Sequence, residues 1–293
     1  MTSLQRNNLH SIIQDLCPPF ETIETHLKPS VNNLSNIKAV VFDVYGTLFA
    51  SSAGDISHSN EDNRSHSLLK TLNHFNITVP AKYDIGVNFI DCIKSQQQIV
   101  REKGVEFPEI DILEVWVTFL NTLEIEIPES DILAQIAVYY ECTANRVFPI
   151  PDLLKTIEAL HSNNIVLGIV SNAQFFTPLL FSAFLNKDLS QLGFNPNHCI
   201  WSYKLKEAKP SKKLYQLCAQ SLKTHNNIST SETLFVGNDM LNDIYPSQSE
   251  GYKTALFAGD KRSLRLRETN KYCKNIKPDI TITQLPQILK CIL

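Results

Sequence analysis

Three short apolar segments of the sequence are each followed by polar side chains that could do chemistry. These residues, with the segment before each, are Asp43 (39–42), Ser171 and Asn172 (165–170), and Asn238 and Asp239 (234–236). Unbroken apolar segments of this length predict strands that are buried on both faces, as in a parallel sheet covered by helices. Because ligands of open α/β sheets bind beyond the carboxyl ends of the strands, we expect the polar side chains to meet at one edge of the sheet.

Together with Lys209, these residues predict a site for covalent group transfer. Asp43 offers a carboxylate nucleophile, Ser171 offers a hydroxyl, and Lys209 offers an ammonium on a nearby loop. The set suits transfer of an anionic group through an aspartyl intermediate, because the cation offsets negative charge in the transition state. Taken alone, Asp43 could be a turn residue, and Ser171 and Asn172 could cap a helix. Lys209 has neighbouring lysines that could take its place.

Alternating strands and helices predict the core that positions this site. Apolar segments at 199–201, 254–257 and 280–282 add three further strands, and helical spacing of apolar residues predicts helices near 153–160 and 214–222. Strands that alternate with helices imply parallel pairing with right-handed crossovers. The predicted fold class is therefore α/β, with a Rossmann-like parallel sheet as the core.

A helical insertion separates the first strand from the rest of the core. Through most of it the apolar residues recur at helical spacing, with Ser130 as the expected N-cap of the last helix. The stretch 50–65, rich in Ser, Asn, Asp and Gly, predicts an exposed loop before these helices. We therefore expect a helical cap over residues 58–147, and a core formed by residues 37–57 and 148–293.

Residues 1–36 form an N-terminal extension before the first strand. Leu9, Ile13 and Leu16 fall close to helical spacing, and Pro18 follows them. The pattern predicts a helix that docks on the domain behind it, because a single apolar stripe usually faces a core. A partner-binding or oligomerising arm is the alternative.

Composition excludes several classes of function. The chain has 293 residues, is 43% hydrophobic and carries a formal net charge of −3, which suits one large or two modest globular domains. The near-neutral balance gives no electrostatic footprint for nucleic acid or for an anionic membrane surface. The sequence has no apolar run of transmembrane length and no pattern of a secretory signal, so we expect a cytoplasmic protein. Monomer and homodimer are both compatible with it.

Two further features of composition are interpreted as structural. The seven cysteines are odd in number and include no CxxC pair, which predicts small buried hydrophobes in a reducing compartment rather than disulfides or a zinc site. The basic run at 261–274 predicts the solvated face of a helix, with anion recognition by one of its arginines as the alternative.

Four short motifs occur in a defined order along the chain. They are Asp43-Val44-Tyr45-Gly46-Thr47, Ser171-Asn172, Lys209-Pro210, and Gly237-Asn238-Asp239 with Asp243. In this order and spacing they resemble the motifs of the haloacid dehalogenase (HAD) superfamily of hydrolases, over roughly residues 37–285. The resemblance implies a HAD-like, Rossmann-like core. The helical insertion lies where that family places a cap domain over the active site.

The resemblance assigns a role to each of the first three motifs. It implies that Asp43 is the nucleophile, that the Ser171 hydroxyl binds the transferred group, and that Lys209 orients the nucleophile and neutralises negative charge. Thr47 and Asn172 are expected to contact the substrate beside them.

The fourth motif is a candidate magnesium site. Phosphatases of the family bind Mg²⁺ through the nucleophile, the backbone carbonyl two residues later and an acid of the fourth motif, and oxygen ligands of this kind suit a hard cation. The corresponding candidates are Asp43, Tyr45, Asn238, Asp239 and Asp243. Counting back from Asp243 places Asn238 where the family's first acid lies, with Asp239 one position later, so both are candidates.

Tyr45 departs from the phosphatase pattern. Phosphatases of the family carry an aspartate there, which protonates the leaving group and later activates water, and a phenol with a pKa of about 10 is a poor general base at neutral pH. The motif Asp-x-Tyr-Gly-Thr resembles the first motif of 2-haloacid dehalogenases. In those enzymes the leaving halide needs no proton. Tyr45 is therefore either a catalytic residue or a packing residue beneath the cap.

The fourth motif favours a phosphatase over a dehalogenase, because it resembles the metal-binding form of this motif in the family. We expect a Mg²⁺-dependent hydrolase of small phosphorylated metabolites that forms an aspartyl-phosphate on Asp43. One alternative is a metal-independent 2-haloacid dehalogenase that forms an aspartyl ester. The other is a catalytically weak binding or regulatory protein that keeps the fold.

Overall fold

The computed structural model describes residues 2–52 and 61–293, with side chains described from residue 64 onward in the second range. The strands are β1 (Ala39–Phe42), β2 (Phe49–Ser51), β3 (Val147–Pro149), β4 (Val166–Ser171), β5 (Phe194–Trp201), β6 (Thr233–Gly237), β7 (Lys253–Phe257) and β8 (Ile280–Ile282). The helices are α1 (Ser3–Leu16), α2 (Glu61–His74), α3 (Ile85–Glu102), α4 (Ile112–Thr122), α5 (Ser130–Ala144), α6 (Leu153–Ser162), α7 (Thr177–Leu185), α8 (Ser202–Leu205), α9 (Lys212–Asn226), α10 (Tyr245–Ser249) and α11 (Gln287–Ile292). Every helix within these ranges is too short or too polar to span a bilayer.

The core is a six-stranded, all-parallel sheet flanked by helices, which confirms the predicted α/β class. Its strand order is β5-β4-β1-β6-β7-β8, so the strand that precedes Asp43 lies near the centre and is buried along its whole length. Each strand predicted from an apolar segment is present, and β5 begins at Phe194, earlier than predicted. The sheet is the element that fixes the positions of the candidate residues.

The register of the central strands brings their carboxyl ends together. Phe42 of β1 lies opposite Ile169 of β4 and Val236 of β6. The chain therefore leaves all three strands at the same edge of the sheet. Asp43 and Ser171 stand at this edge, as the sequence predicted.

A two-stranded antiparallel ribbon, formed by β2 and β3, joins the core to the helical insertion. Ala50 and Ser51 belong to β2 and are buried, so the prediction of an exposed loop over 50–65 is wrong for them. Residues 53–60 lie outside the described residues, and the chain from residue 61 onward already belongs to α2. A strand of three residues is too short to show the alternation that would predict it.

Helices α2–α5 form a hydrophobic cluster that is separate from the cluster around the sheet. Phe89, Trp116, Phe119 and Tyr140 lie at its centre, and their ring centroids are 5.0 to 5.6 Å apart in the contacting pairs. Tilted and edge-to-face aromatic pairs at such distances add to the stabilisation that burial provides. The insertion therefore has a core of its own.

Two local predictions are wrong. Ser130 is the first helical residue of α5, and the N-cap position belongs to Glu129, whose side chain makes no capping hydrogen bond. The basic run at 261–274 forms turns and an isolated bridge at Arg265 instead of a helix.

Helix α1 packs on its own chain. Its Leu9 and Ile13 side chains belong to the hydrophobic cluster around the sheet, and its main contacts are with α5 and α7. The Gln14 side chain donates a hydrogen bond to the Ala183 carbonyl at 2.5 Å. These contacts agree with the predicted docking helix.

The cysteines lie in the interior. All seven are buried free thiols, as their odd number and spacing predicted.

Replacing Ile13 by alanine tests the docking of α1. The side chain is fully buried, so Ile13→Ala should lower the free energy of unfolding by about 3 kcal/mol through lost burial and a new cavity. On the same helix Leu4 is 70% exposed, and Leu4→Ala should change it by less than about 0.5 kcal/mol. Urea denaturation of both variants measures the difference, and equal effects would contradict the docking.

Candidate active site

The backbone after β1 turns sharply and leaves Asp43 at the edge of the sheet. The Asp43 N–H donates to the Val236 carbonyl at 2.9 Å, which extends the β1–β6 pairing by one residue. Gly46 has a φ of +84°, a conformation that favours glycine, and a Cβ there would lie 2.6 Å from the Asn238 side chain. Glycine therefore allows the turn to approach the loop that follows β6.

Lys209 lies between two carboxylates. Its Nζ donates to Asp43 Oδ1 and to Asp243 Oδ1, each at 2.6 Å, and none of the three side chains is more than 7% exposed. Burial alone would lower the pKa of Lys209, but the two carboxylates hold it above its ordinary value. Burial raises the pKa of Asp243, and the Lys209 charge opposes that rise. The lysine therefore stays charged.

Ser171 and Thr47 add further contacts to Asp43. Ser171 Oγ donates to Asp43 Oδ1 at 3.2 Å. Thr47 Oγ1 lies 3.4 Å from Asp43 Oδ2 and donates to Asn238 Oδ1 at 3.0 Å. Oδ1 is thus held by Lys209 and Ser171, whereas Oδ2 has the long contact with Thr47. Oδ2 is the better placed oxygen for attack on a substrate.

Asn172 holds the loop that carries the lysine. Its Oδ1 accepts a hydrogen bond from the Lys209 backbone N–H at 2.8 Å, and the Lys209–Pro210 peptide bond is cis. Substrate contact by Asn172 stays a prediction. Ser171 is the last residue of β4 and the next helix begins at Thr177, so the interpretation of Ser171 and Asn172 as a helix N-cap is wrong.

The two acids of the fourth motif make contacts within the protein. Asp239 accepts from the Leu241 backbone N–H at 2.8 Å and pairs with Arg267 at 2.7 Å. Asp243 Oδ2 accepts from the Asp239 backbone N–H at 2.9 Å, and its Oδ1 accepts from Lys209. Arg267 belongs to the basic run, so the interpretation of that run as a solvated face is wrong for this arginine.

Asp43, Tyr45 and Asn238 are the remaining candidate ligands for a metal ion. All three line one cavity. The Asp43 carboxylate, the Tyr45 backbone carbonyl and the Asn238 amide are all hard oxygen donors. Mg²⁺ binds such donors while it keeps several waters. Within residues 2–52 and 61–293, no group of three or more His, Cys, Asp or Glu side chains has the arrangement of a metal site. The donor set therefore fits Mg²⁺ with one carboxylate and two neutral oxygens.

Tyr45 packs beside the site. Its hydroxyl lies 2.9 Å from Thr177 Oγ1, and its ring packs against the hydrophobic cluster around the sheet. Burial raises the pKa of the phenol well above its ordinary value, and the charge of Glu141 adds to the rise. A phenol that stays protonated at neutral pH cannot serve as a general base. These contacts are those of the packing residue, one of the two alternatives that the sequence left open.

A cavity of about 490 Å³, lined by both polar and apolar groups, opens over Asp43 between the sheet edge and the helical insertion. Its lining includes Glu109 and Glu141 from the insertion and Arg265 from the basic run. Sequence reasoning missed both glutamates, because neither belongs to a motif. For Glu141 the available signal was an acid inside the otherwise buried stretch 138–142 of α5.

Glu109 docks the insertion on the core. Its Oε2 accepts from Ser202 Oγ at 2.7 Å, and its Oε1 accepts from the Ile110 backbone N–H at 2.9 Å. The Glu109 N–H donates to the Lys206 carbonyl at 3.1 Å, on the segment that leads to Lys209. Burial raises the pKa of Glu109, and the hydrogen bond from Ser202 opposes the rise.

Glu141 has a different environment. Burial raises its pKa to about 7, and the hydrogen bond from the Asn145 side chain opposes the rise. Ser51 Oγ donates to Asn145 Oδ1 at 2.7 Å and so fixes that amide. A carboxyl that titrates near neutral pH inside a cleft is a candidate functional group.

Replacing Glu141 by glutamine should stabilise the protein at pH 8 more than at pH 5. The native pKa of about 7 lies above the ordinary 4.5, so the native state binds more protons between these values and stability falls as pH rises through them. Glu141→Gln removes this loss and should raise the free energy of unfolding by about 3 kcal/mol at pH 8 and by about 1 kcal/mol at pH 5. Denaturant unfolding at both pH values measures the effect. An equal change at both would contradict the raised pKa.

Comparisons with known proteins identify the family of the chain. A family model for haloacid dehalogenase-like hydrolases matches residues 37–245. A glyceraldehyde 3-phosphate phosphatase from Pyrococcus furiosus is 24% identical over 258 residues, which cover 88% of this chain and 93% of the relative. The structure of a 2-haloacid dehalogenase from Pseudomonas syringae pv. tomato has a TM-score of 0.54 at 18% identity and covers 87% of this chain and 97% of its own. That of a HAD phosphatase from Thermococcus onnurineus has a TM-score of 0.49 at 18% identity, with 87% and 97% covered. The family match spans more than half of the sequence, so the chain belongs to the haloacid dehalogenase-like hydrolases.

Proposed function

We propose that the chain is a phosphatase of small phosphorylated metabolites that acts through an aspartyl-phosphate on Asp43. The observation that carries this proposal is the buried Asp43 carboxylate, held at one oxygen by Lys209 and Ser171 at the base of the cavity. A cavity of about 490 Å³ suits a small metabolite.

The contacts of Asp43 favour nucleophilic attack over general-base catalysis. Lys209 and Ser171 hold Oδ1, which leaves Oδ2, with its one long contact to Thr47, as the oxygen for attack. Attack by Oδ2 on phosphorus forms the phosphoryl–aspartate bond as the bond to the leaving oxygen breaks. The Lys209 ammonium offsets negative charge that would otherwise repel an anionic substrate.

A further cation would complete the charge balance. Lys209 carries one positive charge between two carboxylates, so the three side chains alone do not attract a phosphate dianion. Asp43, the Tyr45 carbonyl and Asn238 are the residues that would hold Mg²⁺. When bound there, Mg²⁺ supplies positive charge against the nucleophile and the phosphoryl oxygens.

The polar groups of the lining favour a phosphate ester over a haloacid. Arg265 and Lys209 bring positive charge to the cavity, and Asn172 and Gln174 add amides. A phosphate dianion can accept from several of these donors at once, whereas a 2-haloacid offers them a single carboxylate and an apolar carbon–halogen bond. The name of the P. furiosus relative, a phosphatase, supports the same choice. The 2-haloacid dehalogenase is the second candidate, because Tyr45 stands where an acid would protonate an oxygen leaving group.

Hydrolysis of 4-nitrophenyl phosphate tests this proposal. The wild-type chain should turn over the ester with Mg²⁺ and lose turnover in EDTA, and Asp43→Asn should lower it by at least ~10³-fold because it removes the nucleophile. Asp91→Asn, an exposed position on α3, is the matched control and should keep full turnover. Release of 4-nitrophenolate is the measurement.

A parallel assay of chloride release from 2-chloropropanoate separates the alternatives. Metal-independent halide release without phosphate hydrolysis would replace the phosphatase by the dehalogenase. Inactivity on both substrates would favour the binding or regulatory protein. Full activity of Asp43→Asn would contradict both the phosphatase and the dehalogenase proposals.

A further inference from the structure

We propose that Glu141, near the end of α5, is the general acid and base of this reaction. The inference rests on the proposed phosphatase function and extends it to a residue of the helical insertion. The observation behind it is that Glu141 lines the cavity of Asp43, while the side chain at Tyr45 is committed to packing.

The chemistry requires such a group. A sugar or alkyl alcohol leaves phosphorus as an alkoxide unless it receives a proton, and water needs to lose a proton as it attacks the aspartyl-phosphate. General acid–base catalysis of such steps contributes about 10² to 10⁴-fold. The Tyr45 phenol cannot perform the second role, because burial raises its pKa well above its ordinary value.

The β2–β3 ribbon brings Glu141 to the site. β2 follows the Asp43 turn directly, and Ser51 of β2 pairs with Val147 of β3. Helix α5 ends just before β3, so its last turn returns to the Asp43 turn. The Ser51 hydroxyl holds the Asn145 amide, and that amide donates to the Glu141 carboxyl. The carboxyl is thereby held in place at the cavity wall.

The other acids of the cavity are engaged elsewhere. Glu109 uses both oxygens to dock the insertion, on Ser202 and on a backbone N–H. Asp239 pairs with Arg267, and Asp243 pairs with Lys209. Glu141 is the acid whose contacts leave it suited to exchange a proton with a ligand, and its raised pKa of about 7 agrees with that use.

The proton balance closes over one cycle. Protonated Glu141 gives its proton to the leaving oxygen as Asp43 Oδ2 bonds to phosphorus and the ester P–O bond breaks. The resulting Glu141 carboxylate takes a proton from water as the water oxygen bonds to phosphorus and the Asp43–phosphorus link breaks. Alcohol and inorganic phosphate leave, Asp43 is again a carboxylate, and Glu141 is again protonated.

Glu141→Gln tests the inference by dividing the reaction into its two steps. With 4-nitrophenyl phosphate the leaving phenolate needs no acid, so the variant should release one nitrophenolate per site in a burst and then turn over about 10² to 10⁴-fold more slowly than wild type. With an alkyl phosphate such as glycerol phosphate, the first step needs the acid. The variant should then lose turnover to the same extent with no burst. Stopped-flow absorbance and a phosphate assay provide the two readouts.

Two further variants control for a structural role. Glu129→Gln, at the exposed start of the same helix, should behave as wild type, and Glu141→Asp should regain part of the steady rate because it keeps a carboxyl. Glu141→Gln turnover within threefold of wild type on both esters would overturn the inference alone. Parallel loss of both phases on the aryl ester, without a burst, would overturn it too. Failure of the wild-type chain on every phosphate ester would instead overturn the proposed function, and this inference with it.

Discussion

The structure of the site depends on one buried cation between two carboxylates. Lys209 lies 2.6 Å from an oxygen of Asp43 and 2.6 Å from an oxygen of Asp243, and all three side chains are almost fully removed from water. Burying a charge is costly unless it is paired, and removal of one partner of such a pair typically costs about 3 to 5 kcal/mol. The loops after β1 and β6 must therefore meet the lysine loop. The pairing of β1 with β6 in the sheet brings the first two of these loops together.

The need to pair buried charges also explains why the acids of the site differ in their contacts. Asp243 balances the lysine, and Asp239 balances Arg267. Asp43 shares the lysine but keeps one oxygen with a single long contact. Acids that are close in sequence thus differ in chemistry because their partners differ. Burial, and not a neighbouring cation, shifts the pKa of Glu141, to about 7.

The features that sequence could predict are those that local pattern determines. Apolar segments showed the buried strands, and the polar residues after them, Asp43 and Ser171, lie at one edge because parallel strands share a direction. The β2–β3 ribbon could not be predicted, since a strand of three residues has too little pattern of its own. These two strands are recognised only by their pairing with each other, and the insertion separates them in the sequence. The same pairing places Glu141, so no motif marks it. The ion pair between Arg267 and Asp239 could not be predicted either, because it depends on a turn that brings the two side chains together.

The central claim is that Asp43 becomes covalently phosphorylated during turnover. Acid quenching of the wild-type chain within milliseconds of mixing with 4-nitrophenyl phosphate and Mg²⁺, followed by mass spectrometry of its peptides, tests this directly. The account predicts a phosphoryl group on the peptide that contains Asp43, at the Asp43 side chain. A phosphoryl group on another residue, or turnover with an unmodified chain at every quench time, would contradict it.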